Sequence, residues 1–289
     1  MFDTDTLLRP SPGASKDAIQ FHYDVGNDFY HLWLDETKTY TCALWGEGDD
    51  IAAAQKRKLD HHITEAKAPG VKRALDIGCG WGPCLRRMVE THGVQHAVGL
   101  TLSQAQADYV QSLGDPRIDI RVESWFDHQP TEPYDAIISI GAFEHFARPD
   151  VTLAEKIDGY RAFFDRCRRW LRPGGRLSLQ TITYENSDRA DLNPFILEKI
   201  WPETDLPRLA DIATATERKF EIVRLHNDRQ GYVRTCGDWV KQLGVHREKI
   251  IATVGEETYQ RYVHWLKLSM VGFHTGTMGL LRITFQRID

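Results

Sequence analysis

The sequence predicts an α/β chain: a doubly wound, seven-stranded and mostly parallel sheet, preceded by a helical cap and interrupted late by a helical lid. Three observations predict it. Short apolar runs alternate with helical stretches through the middle of the chain, as in strand–helix units that stack helices on both faces of a parallel sheet. The first run ends in Asp76-Ile77-Gly78-Cys79-Gly80-Trp81-Gly82, and glycines at alternate positions let a strand turn sharply into a helix and approach a ligand closely. A length of 289 residues with 42% hydrophobic composition suffices for one substantial core, or a core and a small subdomain.

Taken in order, residues 1–17, with Pro10, Pro12 and Gly13, read as a mobile leader. Residues 18–68 read as the cap. In 18–34 apolar and aromatic residues recur at helical spacing, so a helix or helix pair lies on something apolar. A more polar helix, 51–67, leads to Pro69-Gly70. The core spans 69–289. Its strands are expected at 74–79, 97–100, 118–122, 136–140 and 177–182, with helices at 104–113 and 160–171, the latter stopped by Pro173-Gly174-Gly175. Between 184 and 208 three prolines, Pro194, Pro202 and Pro207, interrupt a segment too apolar for a linker. This is the expected lid, with outer bounds at about 184–215. Strands at 219–225 and 280–286, with helices at 236–242 and 256–268 between them, complete the sheet.

Composition narrows the function. A net charge of -5, without interleaved basic and aromatic residues, gives no general attraction for nucleic acid. No apolar run approaches the roughly 20 residues that span a bilayer, and the first residues lack a secretory pattern, so a cytoplasmic enzyme is expected. Five cysteines without a C-x-x-C pair argue against a disulfide framework. His22, His31, His61 and His62 lack the spacing of a zinc site, so no metal is expected. Arg166, Arg168, Arg169 and Arg172 form a basic cluster. A solvated helix face is its default reading, and docking of an acyl carrier protein the functional alternative.

The glycine loop implies a nucleoside cofactor. A dinucleotide fingerprint requires a third glycine where Pro83 stands, and an acid after the next strand, where the sequence is Thr101-Leu102-Ser103. S-adenosylmethionine, with S-adenosylhomocysteine as its product, is the reading that remains.

Several strings together resemble one family, the cyclopropane-fatty-acid synthases and mycolic acid methyltransferases. They are FHYDVGNDFYHLWLD (21–35), TYTCALW (39–45), LDIGCGWG (75–82), GLTLSQAQ (99–106), SIGAFEHF (139–146), and FILEKIWP with the later LP at 206–207. The resemblance implies the class I methyltransferase fold and S-adenosylmethionine as cofactor. It assigns cofactor contacts to Tyr40, Thr41, Asp76, Gly78, Gly80, Gly82, Thr101, Leu102, Gln106, Trp125, Phe126 and Ile140. It further implies transfer of a methyl group to an alkene carbon, giving a carbocation that must lose a proton. Such a reaction needs alignment, exclusion of water and a nearby base. Aromatic faces stabilise the cation, and Phe21, Tyr23, Phe29, Trp33, Phe143 and Phe146 are the expected substrate-binding residues.

In relatives the base is a bound bicarbonate, matched here by Cys42, Glu144, Tyr232 and the backbone at Ile140. Two departures stand out: Gln180 replaces the usual histidine and Ser269 the usual cysteine. Glutamine cannot become cationic or relay a proton, so the bicarbonate pocket is expected to be altered, with Glu144 as an alternative base. Catalytic roles are therefore assigned to Glu144, Tyr232, Cys42 and Gln180. An apolar unsaturated acceptor is the leading reading. A smaller specialised metabolite methylated at carbon, nitrogen or oxygen is the second, and a catalytically silent lipid- or cofactor-binding protein the third.

Overall fold

The computed structural model describes residues 13, 15, 25–200 and 203–289. Phe21, Tyr23, His22, Trp201 and Pro202 lie outside them. Seven strands form one sheet in the order β3-β2-β1-β4-β5-β7-β6. They are β1 (Arg73–Ile77), β2 (His96–Thr101), β3 (Ile118–Val122), β4 (Tyr134–Ile140), β5 (Leu171–Tyr184), β6 (Phe220–Asn227) and β7 (Met278–Arg287). The first five pair in parallel, whereas β7 runs antiparallel to both β5 and β6. The doubly wound, mostly parallel sheet is thus present.

Strand alternation separates two cores. On β1, Leu75 and Ile77 face a layer made by α5 (Leu153–Trp170) and α7 (Leu209–Thr216), through Phe163, Phe164, Ile212 and Ala215. Ala74 faces the other way, in register with Ala97 on β2 and Ala136 on β4. These short side chains let α2 (Ile51–Glu65) and α3 (Pro83–Glu90) lie close to the sheet, filling the space with Leu59, Ile63, Leu85 and Met88. Helix starts follow local chemistry. Asp50 accepts from the Ala53 amide to cap α2, Ser103 caps α4 (Gln104–Ser112), and Thr152 with Glu155 forms a capping box on α5.

The cap is small among the described residues: α1 is Asn27–His31. It inserts Phe29, Tyr30 and Trp33 among Trp239 of α8 (Arg229–Val245) and Tyr262 and Trp265 of α9 (Arg247–Thr275), with the Tyr30 and Tyr262 hydroxyls 2.8 Å apart. Both C-terminal helices exceed their expected lengths, and α9 breaks its helical dihedrals at Gly255. The strand expected from residue 177 begins pairing at Leu171, and its register shifts around Gly174, which adopts φ +74°.

Two further expectations change. Gly13 is buried, with a Cβ there falling 2.4 Å from the His145 carbonyl, and the Ser15 amide donates to Glu203 Oε2. These two leader residues are packed. The lid, which includes α6 (Pro194–Lys199), ends before α7, because Ile212 and Ala215 belong to the sheet's own core. Its return is pinned by the Tyr184 amide on the Pro207 carbonyl, the Asp205 amide on the Ala147 carbonyl, and Lys156 Nζ at 2.6 Å from Asp205 Oδ2. No helix among the described residues is long and apolar enough to cross a membrane.

Candidate active site

Three clefts meet where β1, β2 and β4 end, and Gly141 borders all of them. The first, of about 720 Å³, is lined by Gly78, Gly80, Thr101, Leu102, Gln106 and Trp125. Gly78 adopts φ +80°, and a Cβ there would fall 2.4 Å from Ala142 Cβ; Gly80 adopts φ +54° and faces open space. Both conformations favour glycine, and they leave bare backbone for a ligand. Thr101 Oγ1 donates to Gln106 Oε1 at 2.7 Å, so the two polar side chains hold each other in place. Trp125 and Phe146 tilt together at 5.2 Å, an apolar wall suited to a flat base. Glu123, on the residue following β3, also borders this cleft and is held by His128 Nδ1 at 2.6 Å. An acid missing after β2 is thus present after β3, two residues before Trp125. These features fit the adenosine end of S-adenosylmethionine.

Not every expected cofactor residue reaches this cleft. Gly82 (φ +75°) starts α3 and packs on Val110, where a Cβ would sit 2.9 Å from Cγ2. Phe126 lies under the Arg166 guanidinium at 4.6 Å.

The second cleft adjoins the first at Gly78, Gly80 and Gln106, and includes Tyr40, Thr41, Asp76 and Ile140. Burial pushes the Asp76 carboxyl up to about 7, against the pull of Lys58. Lys58 was not expected, because on a polar helix it looks like any solvated lysine.

The third cleft, of about 910 Å³, is walled mainly by apolar groups: Tyr232, Trp239, Trp265, Phe273, and Leu192, Ile196 and Leu197 from the lid. Glu144 enters it from the short 3-10 turn Phe143–His145 after β4. Its Oε1 accepts from the Ile182 amide at 2.7 Å, while Oε2 is buried without a hydrogen-bond partner among the described residues. Burial raises its carboxyl to about 7, with the Ile182 amide opposing. Neighbouring His145 is driven down to about 4 by burial and is neutral, its Nδ1 2.9 Å from Thr204 Oγ1. Tyr232 stacks on Phe273 at 4.5 Å. Ser269 also faces this cavity.

Other expected residues lie behind the walls. Cys42 and Gln180 do not line the acceptor cavity. The Gln180 amide is 3.5 Å from the Cys42 carbonyl, which Arg282 Nη2 also approaches at 3.4 Å, and burial pushes the Cys42 thiol up to about 12. The residues expected to cradle bicarbonate are divided between spaces: Glu144 and Tyr232 line the third cleft, Ile140 lines the second, and Cys42, like Gln180, lines neither, so the ion does not fit one shared cradle. An imidazole nevertheless stands beside Gln180: His62 Nε2 is 3.4 Å from its Oε1, and His62 Nδ1 is 2.7 Å from Ser178 Oγ. Phe29 and Trp33 pack within the cap cluster, and Phe143 stacks on Tyr160 at 4.5 Å in the sheet core. Phe146 lines the adenosine cleft rather than the acceptor cavity. The aromatic residues of α8 and α9 that line the third cleft are Tyr232, Trp239, Trp265 and Phe273. No cluster of three or more His, Cys, Asp or Glu among the described residues suits a metal ion.

Comparison with known proteins agrees with this geometry. The family described as mycolic acid cyclopropane synthetase matches residues 11–283. Cyclopropane mycolic acid synthase 2 of Mycobacterium bovis is 34% identical over 272 residues, which cover 87% of this chain and 88% of that protein. The cyclopropane synthase MmaA2 from Mycobacterium tuberculosis superposes with a TM-score of 0.85 at 31% identity, covering 96% of this chain and all of that one. Mycolic acid cyclopropane synthase CmaA1, complexed with SAH and CTAB, gives 0.84 at 31% identity over 95% and 99% of the two chains.

Proposed function

Because this chain belongs to the mycolic acid cyclopropane synthetase family, and is an S-adenosylmethionine-dependent methyltransferase, we propose that Glu144 is the base for methylation of an alkene carbon in an apolar acyl acceptor. One observation carries this reading: a buried carboxylate with an unpartnered oxygen, inside an aromatic cavity that meets the cofactor clefts at Gly141. When bound, S-adenosylmethionine supplies an electrophilic methyl group. Tyr40, Thr41 and Gly141 line the junction where the acceptor double bond must meet it. The faces of Tyr232, Trp239, Trp265 and Phe273 favour cationic character on the acceptor, by about 0.5–2 kcal/mol per contact. Glu144 Oε2 then accepts the proton released from the alkylated chain. A carboxylate held near 7 is far more basic than a solvated one, yet remains substantially ionised at neutral pH. Leu192, Ile196 and Leu197 of the lid exclude water from the cation.

The acceptor is proposed to arrive as a free chain. Delivery on an acyl carrier protein draws little support from the basic cluster, since Arg168 donates to the Ile288 carbonyl, Arg172 pairs with Asp135, and Arg166 covers Phe126. Five free, buried cysteines favour a reducing cytoplasm as its setting. The test is Glu144→Gln, assayed by mass spectrometry with cis-unsaturated acyl chains. Turnover is expected to fall by about 10²–10⁴-fold, with S-adenosylhomocysteine affinity within twofold of the parent. Unchanged turnover would remove Glu144 as the base, and methylation confined to amines or phenols would transfer the function to a small-metabolite acceptor.

A further inference from the structure

The acceptor cavity is apolar along most of its wall, yet among the described residues one cationic side chain lines it, Arg189. His145 borders the same space but is neutral, drawn down to about 4 by burial. A purely hydrocarbon acceptor would lay an apolar chain along that charge, which is unfavourable, whereas an acceptor with an anionic end makes use of it. Arg189 begins the 3-10 turn Arg189–Asp191 at the entry to the lid, three residues before Leu192, which lines the same cavity. Cation and apolar wall thus come from one short segment.

The guanidinium is held in a set position. Its Nη1 donates to the Thr204 carbonyl, and Thr204 Oγ1 lies 2.9 Å from His145 Nδ1. His145 follows Glu144 in the 3-10 turn after β4, so Thr204 braces both the cation and the turn that carries the base. A guanidinium presents its donors as a planar fork that matches the two oxygens of a carboxylate. Two carboxylates in one apolar cavity repel each other, so an acidic acceptor must be held at the cation and away from Glu144.

We propose that Arg189 binds the carboxylate of the acceptor, so that the acceptor is a free unsaturated acid whose reacting double bond is located by its distance from the carboxyl end. With the carboxylate at Arg189 and the reacting carbon at Gly141, the protein sets the number of bonds between them. The proposal rests on the alkene reading above and adds to it the polar end of the acceptor. A phosphate at the end of a chain offers the same fork two oxygens. The cavity, of about 910 Å³, is the size of a site for one small ligand, which suits a single-chain acid better than a two-chain phospholipid.

Steady-state kinetics on the full chain test this with three acceptors built on one cis-unsaturated chain: the free acid, its methyl ester and its lysophospholipid, each below its micellar concentration. The parent protein is expected to show a KM for the acid about 10–100-fold below that for the ester, at similar kcat. Arg189→Gln should raise the acid's KM to that of the ester, and Arg189→Lys, which keeps the charge, should retain most of the preference. Equal KM values for acid and ester in the parent overturn the proposal without any variant. A rise of the same size for both acceptors in Arg189→Gln also overturns it, because the arginine then only fastens Thr204 and the lid. A parent that prefers the lysophospholipid to the acid assigns the anion to a phosphate and overturns the free-acid acceptor. If none of the three is methylated at carbon, the alkene reading fails, and the affinities of acid and ester, measured by calorimetry on parent and Arg189→Gln, then decide for or against Arg189.

Discussion

Glu144 and Asp76 are both carboxyls raised to about 7 by burial, but they answer to different clefts. For Glu144 the consequence is a pH profile. As the base it must be ionised, so kcat/KM is expected to rise about tenfold per pH unit below 7 and to level off above it; the residual activity of Glu144→Gln should lack this limb. The same shift governs stability. A folded-state value above the unfolded 4.5 means that the stabilisation is complete below about 4.5 and is lost as pH rises through about 7, by about 3 kcal/mol in all. Thermal melts from pH 4.5 to 8 should therefore show a steeper fall for the parent than for Glu144→Gln, and parallel curves would contradict the burial of an ionisable group there. At this scale the sequence was informative where a motif names a residue: Asp76, Gly78, Gly80, Thr101, Gln106 and Trp125 all border a cleft. It was uninformative where one aromatic resembles another. Trp33 and Trp239 are both buried tryptophans, and only the packing of α8 sends the second into the acceptor cavity.

Among elements, the turn from β4 into the Phe143–His145 helix controls the site, because Gly141 joins all three clefts in a left-handed conformation of φ +71°. Gly141→Ala adds backbone strain and places a Cβ 2.5 Å from Thr41 Cγ2. Gly114 provides the control, with nearly the same φ of +70° and nothing within 4 Å. Both alanine variants should lose about 1 kcal/mol from conformation alone. Gly141→Ala should lose about 1–3 kcal/mol more from overpacking, and with it at least tenfold in both cofactor affinity and turnover; equal melting temperatures for the two variants would remove the Thr41 contact from the account. The β strands were legible because Leu75, Ile77 and Ile137 recur in short apolar runs, and the order β5-β7-β6 was not, since pairing partners separated by α8 and α9 leave no local trace. Helix α7 was hidden for a related reason. Its apolar Ile212 and Ala215 continue the lid's composition, and only their burial against α5 assigns them to the sheet.

The whole molecule is arranged so that the acceptor cavity is closed by parts far apart in sequence: the cap, the lid and the two C-terminal helices. The lid's return is fastened by Lys156, whose ammonium meets Asp205 and the Leu206 carbonyl at 2.6 Å each. Lys156→Met removes the counter-ion of Asp205, which among the described residues keeps only the Tyr184 hydroxyl on Oδ1 at 2.9 Å, and should cost about 1–3 kcal/mol. Limited proteolysis followed by mass spectrometry should then cut residues 186–204 faster while the sheet core stays intact; an unchanged cleavage rate would mean that other contacts hold the lid. The N-terminal strings predict a helical cap, and the anchorage of Phe29, Tyr30 and Trp33 on Trp239, Tyr262 and Trp265 depends on tertiary contacts that no short motif encodes. The distribution of indoles between compartments has a spectroscopic consequence. Trp125 borders the adenosine cleft, whereas Trp239 and Trp265 border the acceptor cavity. Intrinsic fluorescence is therefore expected to respond to ligands in each compartment, and comparing Trp125→Phe with Trp239→Phe and Trp265→Phe, against the background of the chain's other tryptophans, should show which compartment a ligand enters.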